Sequence, residues 1–233
     1  MTSRRIWLAV VSLASFVGNA AWAAAGSDAL RRFVKETRSA SGSDALRRFV
    51  KETRSASGRF TQRLTDRKGE ALDAPAEGTF CFRRPGLFAW RTETPFVQEI
   101  VSDGKVVKLW DRDLNQVTVK SLSGAVTAAP AALLFGDAKA LDVFQLTESP
   151  RREAGAVAAV KAVPKKDDAA FSEVTVGFDA GGSPVFMVLA DHFGTVTTLT
   201  FTDVRKNPAL TSADFALHAP ADADVLEDRT GNF

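Results

Sequence analysis

Hydrophobic and polar residues alternate with period two from residue 58 onward, and with a helical period before it. Phe60, Gln62 and Leu64 alternate with Arg59, Thr61 and Arg63, as in a strand with one buried face. Turn signals at Asp66-Arg67-Lys68-Gly69, Pro85-Gly86, Asp103-Gly104 and Asp111–Asn115 then divide the chain into strands at about 77–83, 87–93, 97–102, 106–110 and 117–122. Residues 123–140 break the alternation. Their small apolar run, with Pro130 suited to a first turn and Gly136 to a stop, predicts a short helix over Pro130–Phe135. Strands resume at about 142–147, 156–163, 170–178, 185–191, 195–203 and 214–218, and the acidic tail after Pro220 reads as extended and poorly ordered.

Upstream, residues 26–41 and 42–57 are an identical tandem repeat, GSDALRRFVKETRSAS. Leu46, Phe49, Val50 and Thr53 fall on one face of a helix, with Ser27 or Asp28, and Ser43 or Asp44, as N-caps. A shift of sixteen residues turns a helix by roughly 160°, so two copies on one unbroken helix would face nearly opposite ways. The second copy leads straight into the first strand and is assigned to the body; the first is a peripheral addition. The pattern as a whole predicts about eleven or twelve antiparallel strands in one sheet. A sheet of that length curls, and its apolar face must be covered, here by the two apolar helices.

The first 23 residues differ in kind. Arg4 and Arg5 precede an apolar stretch, Ile6–Gly18, and Ala21-Trp22-Ala23 has a small-x-small cleavage pattern. This predicts a secretory leader cut after Ala23 or Ala25, too short and wrongly flanked for a membrane span. The whole formal charge of +2 lies in Arg4 and Arg5, so the chain beyond them is formally neutral and carries no electrostatic footprint for nucleic acid. Cys81 is the only cysteine; no intrachain disulfide can form, and no cysteine follows the leader to take a lipid anchor. Stability must come from the core.

Motifs for catalysis are lacking. His192 lies in a turn and His218 at a strand end; no zinc-binding spacing, nucleophile elbow or phosphate-cradling loop occurs. Neither an enzyme nor a cofactor is expected. What the pattern offers is a container: a curled sheet whose inner candidates are long or aromatic (Phe60, Phe88, Trp90, Trp110, Phe171, Phe186, Met187 and Phe201). Whether the helices pack it into a plain core or leave a lipid-sized cavity stays open at this point.

The most informative stretch is Phe82-Arg83-Arg84-Pro85-Gly86-Leu87-Phe88-Ala89-Trp90, a hairpin with aromatic pairs on both strands and two arginines at its mouth. With Ser57-Gly58-Arg59-Phe60-Thr61-Gln62 before it, and Ser102-Asp103-Gly104-Lys105, Asp113-Leu114-Asn115-Gln116-Val117-Thr118, Pro130–Gly136, Asp191-His192-Phe193-Gly194 and Asn207-Pro208 after it, the chain resembles the LolA family of periplasmic lipoprotein carriers from about Asp44 to about Val225.

That resemblance implies a mainly β fold with some α: an unclosed antiparallel β-barrel of about 11 strands, lidded by helices that enclose a hydrophobic cavity. It implies residues 1–23 as signal peptide, 24–41 as a duplicated helical segment and 42–233 as one carrier domain, monomeric and in the periplasm. The implied partners are the acyl chains of lipoproteins, the inner-membrane ABC transporter that releases them, and the outer-membrane receptor LolB. The lid latch falls on Arg84. Lid and cavity contacts fall on Leu46, Phe49, Val50, Phe60, Phe88, Trp90, Leu133, Leu134 and Phe135. A related carrier or sensor for another lipid is the alternative. The family has a single N-terminal helix, so the duplication is a departure from its pattern.

Overall fold

The computed structural model describes residues 41–121, 130–136, 138–166 and 171–228; the expected leader and the first repeat copy lie outside the described residues. Helix α1 (Gly42–Glu52) passes through Thr53-Arg54 directly into β1 (Ser55–Thr65). A meander follows: β2 (Ala76–Arg83), β3 (Leu87–Thr94), β4 (Gln98–Asp103), β5 (Val106–Asp111) and β6 (Gln116–Ser121). Helix α2 (Pro130–Phe135) comes next, then β7 (Phe144–Glu148), β8 (Ala158–Pro164), β9 (Glu173–Phe178), β10 (Pro184–Ala190), β11 (Val196–Lys206) and β12 (Asp224–Asp228). The twelve strands form one sheet in the order β12-β6-β5-β4-β3-β2-β1-β11-β10-β9-β8-β7. Every pairing is antiparallel except β12 on β6. Among the described residues β7 and β12 are the edges of the sheet and do not pair with each other, so the sheet is unclosed.

In its elements the structure departs from the sequence expectation at the helix cap, at 214–218 and in the tail. The helix N-cap is Ser41, whose side chain accepts from the Asp44 amide, rather than Ser43 or Asp44. The strand expected at 214–218 is instead a 3-10 turn, Ser212–Phe215, closed by a capping box between Thr211 and Asp214. Phe215 there buries itself against Cys81, Ala89 and Val101 on the outer face of the sheet, a packing that outweighs the local strand pattern. The acidic tail supplies β12 instead. Its start is held by the Asp224 amide on the Asn115 carbonyl (2.9 Å) and by Asn115 Nδ2 on the Asp222 carbonyl (3.3 Å).

The main core lies on the inner face. Phe60, Phe80, Phe82, Val160, Val174, Val176, Phe178, Met187 and Phe201 are buried there with Leu46, Phe49, Val50, Leu133 and Leu134 of the helices. Trp110 and Phe186, expected inside, are not part of it. Trp110 stands opposite Glu99 and Val117, out of phase with the inward Phe88 and Trp90. Phe186 packs with Ala156, Ala159 and Val188 in a separate outer cluster. Strict alternation explains both: Phe186 and Met187 are neighbours on one strand and must face opposite ways.

Gly78 decides how the inner aromatics meet. Phe60 on β1 pairs with Gly78 on β2, and across that gap its ring stacks on Trp90 of β3 at 3.8 Å. A Cβ at Gly78 would stand 1.9 Å from the Arg91 carbonyl oxygen and 2.9 Å from the Phe60 ring. Gly78→Ala is therefore expected to prise β2 from β3 and cost about 3 kcal/mol or more, read as a lower urea midpoint. An unchanged midpoint would mean that the strands absorb the methyl group.

Candidate functional site

The site is built where the β2–β3 hairpin meets the ends of both helices. Period-two alternation puts Phe80 and Phe82 on the inner face of β2 and Phe88 and Trp90 on the inner face of β3. The pairs Phe80–Trp90 and Phe82–Phe88 lie directly across from one another. These four rings frame an apolar recess, and Phe135, the last residue of α2, fills it. Its ring lies 5.1 Å from Phe82, 6.1 Å from Phe80 and Phe88, and 6.4 Å from Trp90. Leu133 and Leu134 are buried beside it. Helix α1 covers the other half of the face, with Phe49 at 6.2 Å edge-on to Phe82 and 6.0 Å from Phe178.

Arg84 joins all three elements. The hairpin loop is Arg84-Pro85-Gly86, between the strand ends expected at 83 and 87, with a cis Arg84–Pro85 peptide and Gly86 at φ +75°. Arg83 points to the outer face, donating to the Leu210 carbonyl (2.9 Å) with its guanidinium 5.4 Å from the Phe215 ring. Arg84 turns inward. Its Nε donates to the Gly136 carbonyl (2.7 Å), Nη2 to the Leu134 carbonyl and Nη1 to the Thr53 carbonyl (2.5 Å). The guanidinium carbon also lies over the Phe82 ring, 4.5 Å from its centroid, and over Phe49 at 5.6 Å.

The chemistry suits the side chain. The last carbonyls of a helix have no partner within the helix, and they carry the negative end of its dipole. A guanidinium offers several donors in one rigid plane and stacks on aromatic faces, so it can satisfy carbonyls from two helix ends at once. Lysine, with a point charge, cannot reproduce that fork.

The structure thus brings Leu46, Phe49, Val50, Phe60, Arg84, Phe88, Trp90, Leu133, Leu134 and Phe135 into one neighbourhood. Phe80, Phe82 and the backbone of Thr53 belong to it as well, though the sequence reading did not count them among the lid and cavity contacts. Alternation had already placed both phenylalanines inside the hairpin, but the Thr53 carbonyl carries no side-chain signal. Asn207, read from the sequence only as part of an Asn-Pro motif, was given no site role there. Its Oδ1 accepts from the Arg54 amide (2.7 Å) and its Nδ2 donates to the Glu52 carbonyl (3.1 Å), which clamps the end of α1. The Asn-Pro dipeptide was the available clue; in the structure Asn207 takes φ +56°.

Cys81 plays no part in this recess. It faces the outer strap near the Asp214 carbonyl (3.6 Å), and burial pushes its thiol above the ordinary value despite the neighbouring Arg91.

Comparison with known proteins identifies the family. The sequence profile of the outer membrane lipoprotein carrier protein LolA matches residues 51–218. This chain belongs to the LolA family. The outer-membrane lipoprotein carrier protein of Cupriavidus necator is 39% identical over 229 residues, covering 97% of this chain and all of that one. That of Methylobacillus flagellatus is 41% identical over 167 residues, covering 72% of this chain and 80% of its own. Among solved structures, a conserved protein from Thermus thermophilus of unassigned role shares the fold, with a TM-score of 0.51 at 16% identity over 80% of this chain and 98% of that one. The LolA-family chain therefore carries its aromatic recess, its two covering helices and Arg84 on a scaffold with known relatives.

Proposed function

We propose that this protein is a periplasmic carrier that takes up the acyl chains of lipoproteins released from the inner membrane and hands them to the outer-membrane receptor LolB. The observation that carries the reading is Arg84 spanning the carbonyls of both helix ends directly over an aromatic recess. A recess closed by one side chain and one plug residue can open without dismantling the sheet. Phe135 occupies the apolar space that an acyl chain would take, and its displacement would remove the Leu134 and Gly136 carbonyls from Arg84.

The driving force is hydrophobic. Each CH₂ removed from water contributes about 0.8 kcal/mol, so lipid-modified proteins need a shielded route between membranes. The inner-membrane ABC transporter supplies cargo, and the carrier acts as a monomer without a nucleotide. Arg84 acts as the latch, with Leu46, Phe49, Val50, Leu133, Leu134 and Phe135 as the lid and Phe60, Phe88 and Trp90 as the cavity wall.

The test is release of radiolabelled lipoproteins from spheroplasts, with and without the purified mature protein. A soluble one-to-one complex is the expected result. Lipoproteins that remain membrane-bound in the presence of folded protein would overturn the reading.

A further inference from the structure

Helix α1 is held differently at its two ends. The C-terminal end is fixed. Only Thr53 and Arg54 separate α1 from β1, and Asn207 grips the link through the Arg54 and Ser55 amides (2.7 and 3.4 Å) and the Glu52 carbonyl (3.1 Å). The Asn207 amide in turn donates to the Ser55 carbonyl (2.7 Å).

The N-terminal end packs on β8 and is capped by one side chain of the edge strand β7. Glu148 accepts at Oε1 from the Ser41 hydroxyl (2.7 Å), the Ser43 amide (3.1 Å) and the Ser43 hydroxyl (3.0 Å), and at Oε2 from the Gly42 amide (2.6 Å). Gly42 sits so close to β8 that a Cβ would lie 2.1 Å from the Ala159 carbonyl oxygen. Burial works against ionisation of Glu148, but the donors from Ser41, Gly42 and Ser43 hold its carboxyl below the usual carboxylate range.

We propose that Glu148 is a second latch: α1 opens from its N-terminal end, pivoting at the link clamped by Asn207, and the Glu148 contact is what such opening must break. This rests on the carrier reading above and adds to it a positioning residue at the far end of the lid from Arg84. A carboxylate at a helix N-terminus satisfies amides that lack partners and complements the dipole. As an exposed group on an edge strand, it can let go without unfolding the sheet.

The two repeat copies differ in what precedes them. The second copy is preceded by Ser41, which both caps α1 and donates to Glu148; the first copy is preceded in sequence by Ala25, whose side chain has no hydroxyl.

The experiment compares wild type, Glu148→Gln and the double variant Ser41→Ala/Ser43→Ala. Amide exchange is followed along α1, together with uptake of a fluorescent triacylated lipopeptide. Both variants are expected to speed exchange at Ala45 and Leu46 about tenfold while Val50 and Thr53 stay protected, and to speed probe uptake by a similar factor. Exchange that is unchanged, or that rises evenly along the helix, would overturn the latch. If wild type takes up no probe but the uneven exchange is present, the carrier reading fails and the latch stands.

Discussion

Replacing Arg84 by leucine is expected to leave the protein folded but unable to give up its cargo. Among the described residues Arg84 makes three hydrogen bonds to helix-end carbonyls, which on the proposed reading hold the closed state. Bonds of this charged kind contribute about 1–3 kcal/mol each, and re-forming them on closure favours expulsion of whatever holds the lid open. With three bonds lost, the balance between open and closed shifts by about 3 kcal/mol at the low end, roughly a hundredfold in cargo retention. The measurement is transfer of a bound lipoprotein from the carrier to acceptor membranes bearing the receptor. The Arg84→Leu protein should load and then transfer about a hundredfold more slowly. Arg84→Lys should fall between, because an ammonium cannot reach all three carbonyls in one plane. Normal lipoprotein sorting with Arg84→Leu would remove this residue from the mechanism.

Phe135→Ala carries the second large effect, and it has two signs. Phe135 touches four aromatic rings, so deleting its ring leaves a void framed by Phe80, Phe82, Phe88 and Trp90. The stability loss should be about 3 kcal/mol, or a Tm lower by roughly 6–12 °C for a body of this size. Uptake of an apolar probe should rise, because nothing need then be displaced before an acyl chain enters. Stability and uptake thus move in opposite directions, which separates a plug from an ordinary core residue. A parallel fall in both would show that Phe135 only holds the helix in place. Trp90 reports on the same site, since its indole borders both Phe60 and Phe135.

The two effects differ in origin. On the proposed reading, Arg84 would act on the equilibrium between closed and open states through backbone groups, and Phe135 on the space itself. A carrier of that kind needs both, a cavity shape that accepts chains and a closed state stable enough to release them.

Much of the fold was legible in the sequence because alternation is a local property. The meander β2–β6, the strands β7–β11 and both described helices follow from period and turn residues within a few positions. The apolar stripe of α1 at Leu46, Phe49 and Val50 is likewise set by helical spacing, and all three are buried. The hairpin aromatics were visible because four of them alternate around a Pro-Gly turn. Where local pattern failed, a distant surface won. The segment at 214–218 alternates like a strand, yet Phe215 gains more by burying against Cys81, Ala89 and Val101 than by pairing. The tail DVLED carries little strand signal but finds an open edge at β6.

What the chain determined by itself was therefore periodic: which residues share a face, where the turns fall, and that an aromatic hairpin precedes an apolar insertion. What only the tertiary structure decided was which atoms meet across large gaps in sequence. Arg84 reaches carbonyls 31, 50 and 52 residues away, Asn207 clamps α1 from 155 residues away, and Glu148 caps it from about 106. Several of those partners are backbone groups, identical at every position and hence invisible to any reading of side-chain types. A periodic pattern fixes a face because it repeats; a single long-range hydrogen bond does not repeat, and it exists only once the sheet has curled and brought its partners together.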